Sequence, residues 1–365
     1  MIYRAIGLMS GSSLDGLDIA FVEFHENGGK WVFHIQEAEC YSYSDEWIMR
    51  LKGATSLNAL DYQLLHADYG HYLGAQVNQF IEEKGLQYKV ALVASHGHTT
   101  FHVPGKKMTA QLGDGAAIAA ETRLPVVADL RALDVALAGQ GAPIVPIGEK
   151  MLLGDYHFFL NLGGIANISA NNEKYIAFDV CAANRVLNML AQELAEEYDD
   201  GGNLAAKGKV NTELLEELNK LGFYSQPYPK SLANEFGTEL VFPLIKNKAL
   251  DAHDALRTYT EHIVIQIRNA VKSLKSHQHG SDDQQMLVTG GGAFNTFLMK
   301  RLKNLLGELG VAVMVPDERL IKFKEAMIMA FIGVLRWREE YTVISTVTGA
   351  SRNSVGGALW MGLDN

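Results

Sequence analysis

Residues 156–179 read YHFFLNLGGIANISANNEKYIAFD, and this stretch decides the fold. A short apolar run leads into Gly163-Gly164, a second apolar run follows, an Asn-rich turn comes next, and a third run ends at Asp179. Three short apolar segments separated by turn residues read as three strands. The chain opens on the same plan. Residues 3–8 form an apolar strand that enters GLMSGSSLDGLD (residues 7–18), and residues 19–24 leave it as another. After the turn HENGGKW, the segment WVFHIQEAECYSY alternates as a third strand.

Each opening is followed by helices and further strands. In the first half, residues 57–84 place Leu60, Leu64, Leu65, Val77, Phe80 and Ile81 at helical spacing. A buried strand (89–95), a short helix (116–122) and a strand (125–130) follow. In the second half, Val186, Leu187, Leu190 and Leu194 mark a helix. Helices at 211–221 and 251–275 come next, then a strand entering VTGGGAFN (288–295), the strand VAVMVP and an apolar helix over 325–337. The ordering is α/β in two halves. We expect one domain over residues 1–145 and another over 146–365, with the final helix free to pack back on the first, and a ligand in the cleft between them.

The bulk numbers agree with two soluble domains: 365 residues, 48% hydrophobic and 20% charged. With 32 Lys+Arg against 42 Asp+Glu, the formal charge is −10, and no basic run invites nucleic acid. The apolar run at 326–335 is too short to span a membrane, for which ~20 residues are needed. The opening residues carry neither a basic region nor a long apolar stretch, so no signal peptide is expected. Two distant cysteines, Cys40 and Cys181, give no disulfide framework and no zinc pair. The expectation is a reduced, cytoplasmic protein.

Three glycine-rich turns carry the functional signal. In residues 11–18, glycines allow close backbone approach and Ser hydroxyls and N–H groups can cradle phosphate, with Asp15 or Asp18 holding Mg²⁺ through water. The same residues also fit a plain hairpin turn. NLGGIAN (161–167) stands at the equivalent place in the second half. In VTGGGAFN, a strand, three glycines and a helix bring backbone close to a ligand. Together they favour a nucleotide. Asp179, at a strand end, fits a general base or a helix cap. Cys181 reads as a packing residue. His96, His98 and His102 in SHGHTTFH suit a polar rim around a sugar better than a metal site, and Arg131, flanked by Asp129 and Asp134, fits a carboxylate or hydroxyl partner or a surface ion pair. Glu325 precedes an apolar helix and also fits a simple first-turn acid.

Taken together, GLMSGSSLDGLDIA, SHGHTTFHVP, AQLGDGAAIAAETRLPVVADLRALDVALAGQGAPIVP, NLGGIAN, YDDGGNLAAKG, YPKSLANEF, VTGGGAFNTFLMKRL, EAM and VTGAS run in order from residue 7 to 351. In this combination the chain resembles the anhydro-N-acetylmuramic acid kinase family of the sugar kinase/Hsp70/actin superfamily. The resemblance implies two actin-like (ribonuclease H-like) domains, each around a five-stranded mixed sheet, closing on ATP and Mg²⁺, and a homodimer. It implies an enzyme that opens the 1,6-anhydro ring of anhydro-N-acetylmuramic acid with water and phosphorylates O6, yielding N-acetylmuramic acid 6-phosphate in cell-wall recycling. Asp179 then matches the catalytic base. Gly11, Ser12, Ser13, Leu14, Asp15, Gly16, Leu17 and Asp18 match the ATP-phosphate loop. Gly163, Gly164, Asn184, Gly290, Gly291 and Gly292 complete the ATP set, and His96, Thr99, Arg131 and Glu325 the sugar set.

The chain departs from the family pattern in places. The usual Thr-Gly-Pro-Gly-Asn after the catalytic Asp reads Val180-Cys181-Ala182-Ala183-Asn184. The usual Ser-Thr-Gly-Arg-Glu reads Ser231-Leu232-Ala233-Asn234-Glu235, and His98 replaces a common Gln. These departures leave two other readings: a kinase or hydrolase of another sugar, and a non-catalytic sugar- or nucleotide-binding module.

Overall fold

The computed structural model describes residues 1–11, 14–172, 175–228, 230–233, 235–275 and 284–362. The chain divides into two compact units, one of Met1–Leu153 with Phe323–Asn365 and one of Gly154–Lys322.

In the first unit, β1 (Ile2–Ser10), β2 (Leu17–Asn27) and β3 (Lys30–Tyr41) form an antiparallel meander, and β4 (Leu92–Ser95) lies parallel to β1. A separate hairpin pairs β5 (His98–Val103) with β6 (Met108–Leu112), and β7 (Val126–Ala128) continues the main sheet parallel to β4. In the second unit, β8 (Phe158–Leu162), β9 (Ile165–Ala170) and β10 (Ile176–Ala182) repeat the meander, and β11 (Gln284–Thr289) and β12 (Val311–Met314) repeat the parallel pair. The spatial orders are β3-β2-β1-β4-β7 and β10-β9-β8-β11-β12. Both are the mixed order of the ribonuclease H-like, actin-like fold. The first sheet holds a sixth strand rather than the expected five: β13 (Ala358–Trp360), from the end of the chain, runs antiparallel to β7.

Apolar helix faces complete each core. The helix Ala59–Glu83, capped by Asn58, buries Leu65, Tyr69, Leu73, Val77 and Phe80 in the first unit. The helix Ala252–Lys275 buries Tyr259, Ile263, Ile267 and Val271 in the second. Each such side chain contributes roughly 1.5–3 kcal/mol of hydrophobic burial.

The helix Glu318–Trp337 leaves helical geometry at Phe323 (φ −113°, ψ 15°), where the two units divide. Its later part belongs to the first unit because small residues let it lie against the sheet. A Cβ at Gly7 of β1 would overlap the Ala326 carbonyl, and one at Gly333 would stand 2.6 Å from the Ala94 Cβ. Phe331 adds an edge contact to Trp31, with ring centroids 5.0 Å apart. The helix Pro146–Leu152 is held beside it by an ion pair between Lys324 Nζ and Glu149 Oε1 at 2.8 Å, with both side chains less than a tenth exposed. Packing thus draws residues 146–153 and the last 43 residues into the first unit, unlike a boundary at 145/146.

Among the described residues, no helix is long and apolar enough to cross a membrane.

Candidate functional site

The first unit's features gather around the β1–β2 connection. Ser10 pairs with Leu17, so the connection between β1 and β2 closes a hairpin, and the described residues there start no helix. Ser12 and Ser13 lie outside the described residues. Leu14 has φ 60° and packs its side chain into the core, as does Leu17, so these two reach a ligand through backbone only. Gly16 lies flat against β3: a Cβ there would be 2.7 Å from Cys40 Sγ. Gly11 is half-buried and Asp15 exposed at the loop surface.

Asp18 sits in register with Cys40, which hydrogen-bonds its side chain. Burial pushes the Asp18 carboxyl up to about 6, and the charges of Glu325 and Asp15 add to the rise. The Cys40 thiol is itself pushed up to about 12 by burial and by Asp18. Three carboxylates therefore share one field with no cation paired to Asp18 among the described residues. No group of three ligating side chains there forms a metal cage. A cation that keeps most of its waters fits such a place.

Beneath the loop lies a polar chain that composition alone does not flag. The Tyr69 and Tyr43 hydroxyls are 2.6 Å apart, Tyr43 donates to Ser10 Oγ at 2.9 Å, and Ser10 Oγ meets His98 Nδ1 at 3.2 Å. One direction of donation, from Tyr69 through Tyr43 and Ser10 to His98, satisfies all four groups. It anchors the last residue before the loop. Only a Ser at the strand end and a His at a buried strand start hinted at it.

Arg131 is the centre of a second cluster. Its Nε donates to His96 Nε2 at 2.8 Å and its Nη1 to the Gly141 carbonyl. The His96 Nδ1 is 2.9 Å from the Gly97 carbonyl and so carries the proton. Burial and the Arg131 charge hold His96 down to about 3, so the ring is a neutral acceptor. Burial lowers Arg131 only to about 10, opposed by Glu325 and Asp134, and it stays a cation. Asp134 ties the surrounding loop by accepting from Gly141 N at 2.7 Å and Thr348 Oγ1 at 2.7 Å.

One expectation changes here. His96 spends both ring nitrogens on protein, so it orients Arg131 and offers no polar atom to a sugar. Glu325 lies two residues beyond the break at Phe323, in the first turn of the helical segment that follows, where a first-turn acid was one of the two expectations for it. Thr99 is exposed on β5 and lies 3.4 Å from Gln111 Nε2.

The second unit holds the remaining residues. Asp179, on outer strand β10, is half-buried. Its Oδ2 accepts from Leu232 N at 2.8 Å, and its own N–H donates to the Lys230 carbonyl at 3.0 Å. Its Oδ1 has no hydrogen-bond partner among the described residues. Burial raises its carboxyl, and the Leu232 N–H pulls it partly back. The next helix, Asn184–Gln192, starts five residues on with Ala183 at its cap, so Asp179 is not a helix cap.

Residues 180–183 are all core. Val180, Cys181, Ala182 and Ala183 are at most 3% exposed, and burial pushes the Cys181 thiol up. The backbone donors are spent as well: Ala183 N–H goes to the Gly164 carbonyl at 2.8 Å and Asn184 N–H to the Gly163 carbonyl at 3.1 Å. The Asn184 side chain donates to the Leu162 carbonyl at 2.9 Å. This turn therefore offers no backbone donors at 183 and 184 to a phosphate. The altered stretch 231–235 supplies Leu232 to hold Asp179; Asn234 lies outside the described residues.

The triple glycine follows β11, but a 3-10 turn, Gly291–Phe294, separates it from the helix Thr296–Gly307. Gly290 (φ 81°) and Gly292 are demanded by packing against Asn161 and Leu162, whereas a Cβ at Gly291 would have room. Gly291 and Gly292 instead line a cleft of about 510 Å³ within this unit, with Tyr198, Asp200, Phe294 and Lys322. That volume suits a small organic ligand. Its wall at Tyr198–Gly201 belongs to YDDGGNLAAKG, whose Asp199 caps the helix Asn203–Lys207 through bonds to Leu204 N and Ala205 N.

Comparison with known proteins bears on the whole chain. The family model described as anhydro-N-acetylmuramic acid kinase matches residues 3–362. The chain is 32% identical to the anhydro-N-acetylmuramic acid kinase of Shewanella sediminis (strain HAW-EB3), over 97% of this chain and 98% of that one. It is 32% identical to that of Sulfurovum sp. (strain NBC37-1), over 98% and 99%, and 32% identical to that of Francisella tularensis subsp. novicida (strain U112), over 97% of each. With the family model matching nearly the whole chain and relatives 32% identical over 97% or more of both chains, this chain belongs to the anhydro-N-acetylmuramic acid kinase family.

Proposed function

We propose that this protein is an ATP-dependent sugar kinase that opens the 1,6-anhydro ring of anhydro-N-acetylmuramic acid with water and phosphorylates O6. The product is N-acetylmuramic acid 6-phosphate, an intermediate of peptidoglycan recycling in the cytoplasm. The observation that carries this reading is Asp179: a half-buried carboxylate with one oxygen fixed by Leu232 and the other free of partners among the described residues.

Such a group is built to take a proton. Water attacks C1 as Asp179 removes its proton, the C1–O6 bond breaks, O6 forms its bond to the γ-phosphorus, and ADP leaves. Attack by an activated water at an anomeric carbon, opposite the leaving oxygen, follows inverting glycoside chemistry. Phosphoryl transfer itself needs mainly positioning and neutralisation of charge.

The other residues divide the work. The family resemblance assigns residues 11–18, Gly163-Gly164 and Gly290–Gly292 to the phosphates of ATP, and the Gly291 cleft would take the nucleoside. Arg131, aimed by His96, and Glu325 hold the sugar. Mg²⁺, when bound, neutralises phosphate charge, and Asp15 and Asp18 would hold its waters. A homodimer is part of this reading and rests on the family alone.

A coupled assay with anhydro-N-acetylmuramic acid, ATP and Mg²⁺ tests it. ADP release with matching phosphosugar is expected. Folded protein that yields neither overturns it, and equal turnover of unrelated amino sugars would move the reading to a broader sugar kinase.

A further inference from the structure

The turn between β8 and β9 has donors to spare and a cation beside it. The carbonyls of Gly163 and Gly164 accept from Asn184 and Ala183, but their own N–H groups make no hydrogen bond among the described residues. Neither glycine is required by the backbone: both have room for a Cβ, the nearest atoms being 3.5 Å away. The atom nearest a Cβ on Gly164 is Arg185 Nε, with Nη2 at 3.8 Å, so the guanidinium lies beside Gly164 in the turn.

Arg185 itself is exposed and makes no hydrogen bond or ion pair among the described residues. It stands in the first turn of the helix Asn184–Gln192, which carries no acidic residue there. A cation at that end of a helix is opposed by the helix dipole. Among the described residues no acidic side chain pairs with it. Two idle N–H groups and an unmatched guanidinium on one small surface match the oxygens of a phosphate.

We infer that Arg185 is a phosphate-binding residue for the nucleotide, standing in for the backbone donors at 183 and 184 that this chain commits to its core. The inference rests on the kinase reading. It goes beyond that reading by moving the second unit's phosphate contact from the 180–184 backbone to a side chain.

Calorimetry on the full chain tests it, with ATP and adenosine as probes at fixed Mg²⁺ and salt, for wild type, Arg185→Met and Arg185→Lys. The Met variant is expected to bind ATP about tenfold more weakly or worse, the usual scale for losing a hydrogen bond to a charged group. Its adenosine affinity should stay within about twofold, and Lys, which keeps the charge without the fork, should recover part of the loss. Wild-type ATP affinity in the Met variant overturns the assignment to Arg185 and leaves the kinase reading standing. Equal weakening toward ATP and adenosine also overturns it, because the loss then lies in the turn's shape. Wild type that binds no ATP overturns both. Should the Met variant fail to fold, the Lys variant decides: weakened ATP with unchanged adenosine supports the contact, and unchanged ATP overturns it.

Discussion

The two sheets place a carboxylate in the same row but on different strands. One register position in from the loop, the first unit aligns Met9, Asp18 and Cys40 across β1, β2 and β3. The second aligns Asn161, Asn167 and Asp179 across β8, β9 and β10. On the middle strand, Asp18 shares its surroundings with Asp15 and Glu325, and like charges raise its carboxyl along with burial. On the outer strand, Asp179 has burial as its only cause of increase and a single N–H to offset it. One topology thus yields two kinds of acid: a crowded one that favours a nearby cation, and an isolated one that favours a proton. Moving the acid by one strand changes its chemistry without changing the fold.

The strongest test of that difference is Asp179→Asn. Asn keeps an oxygen to accept the Leu232 N–H, so the melting temperature should hold, while kcat falls by about 10³ from loss of general-base catalysis. The pH dependence carries a sign. The base works only when ionised, and its carboxyl is raised in the folded protein. Wild-type kcat/KM should therefore fall as pH descends through that raised pKa. The residual activity of the Asn variant should lose this acid limb; an unchanged limb would mean that another group sets it and that the outer-strand acid is not the base.

The turns above the two rows differ in how firmly they are built in. Gly16 is locked, with Cys40 Sγ and the Tyr41 carbonyl 2.7 and 2.8 Å from a new Cβ, whereas Gly163 has 3.5 Å of room. Gly16→Ala should cost about 1–3 kcal/mol of stability by overpacking. Gly163→Ala should stay within about 0.5 kcal/mol. Urea unfolding curves read both. Equal losses would show that the second turn is as rigidly packed as the first, and would remove the contrast.

A smaller effect separates the two acids directly. Asp18→Asn removes a charge that we place on the waters of Mg²⁺, and changes around a metal's ligands commonly cost tenfold or more in affinity. The Mg²⁺ concentration for half-maximal rate should rise by about tenfold in Asp18→Asn and remain unchanged in Asp179→Asn. An unchanged Mg²⁺ requirement in Asp18→Asn would show that its crowding serves no cation.

Much of this arrangement was legible in the chain. The doubled strand–glycine–strand opening gave both sheets, because a period of two and turn residues are local signals. Asp179 stood out for the same reason, at the end of such a strand. Other features were hidden because they depend on contacts between distant segments. The last residues join the first sheet through β13, and Gly7 meets Ala326 across more than 300 residues. The Tyr69–Tyr43–Ser10–His98 chain draws on four segments, none marked by itself. The idle N–H groups of Gly163 and Gly164 appear only once the bonds to Ala183 and Asn184 are known. His96 looked like a ligand contact because a His near a Gly turn at a strand end says nothing about where its ring nitrogens go.

The ring of His96 offers the finest of these tests. Arg131 is held by two hydrogen bonds, to His96 and to the Gly141 carbonyl, and its Nε rests on a histidine whose proton is committed to Gly97. Removing that acceptor in His96→Ala leaves the guanidinium free to turn, so the sugar KM should rise severalfold, up to about tenfold for one charge-assisted hydrogen bond. His96→Gln keeps an acceptor oxygen within reach and should recover most of the loss. Because His96 is neutral far below the working range, neither variant should move the acid limb set by Asp179. The KM for ATP should stay within about twofold if, as proposed, the contact serves the sugar. If the ATP KM rises in step, the Arg131 cluster belongs with the phosphate loop of its own unit. The first unit's acids and its arginine would then act on one ligand, and sugar recognition would have to come from elsewhere in the chain.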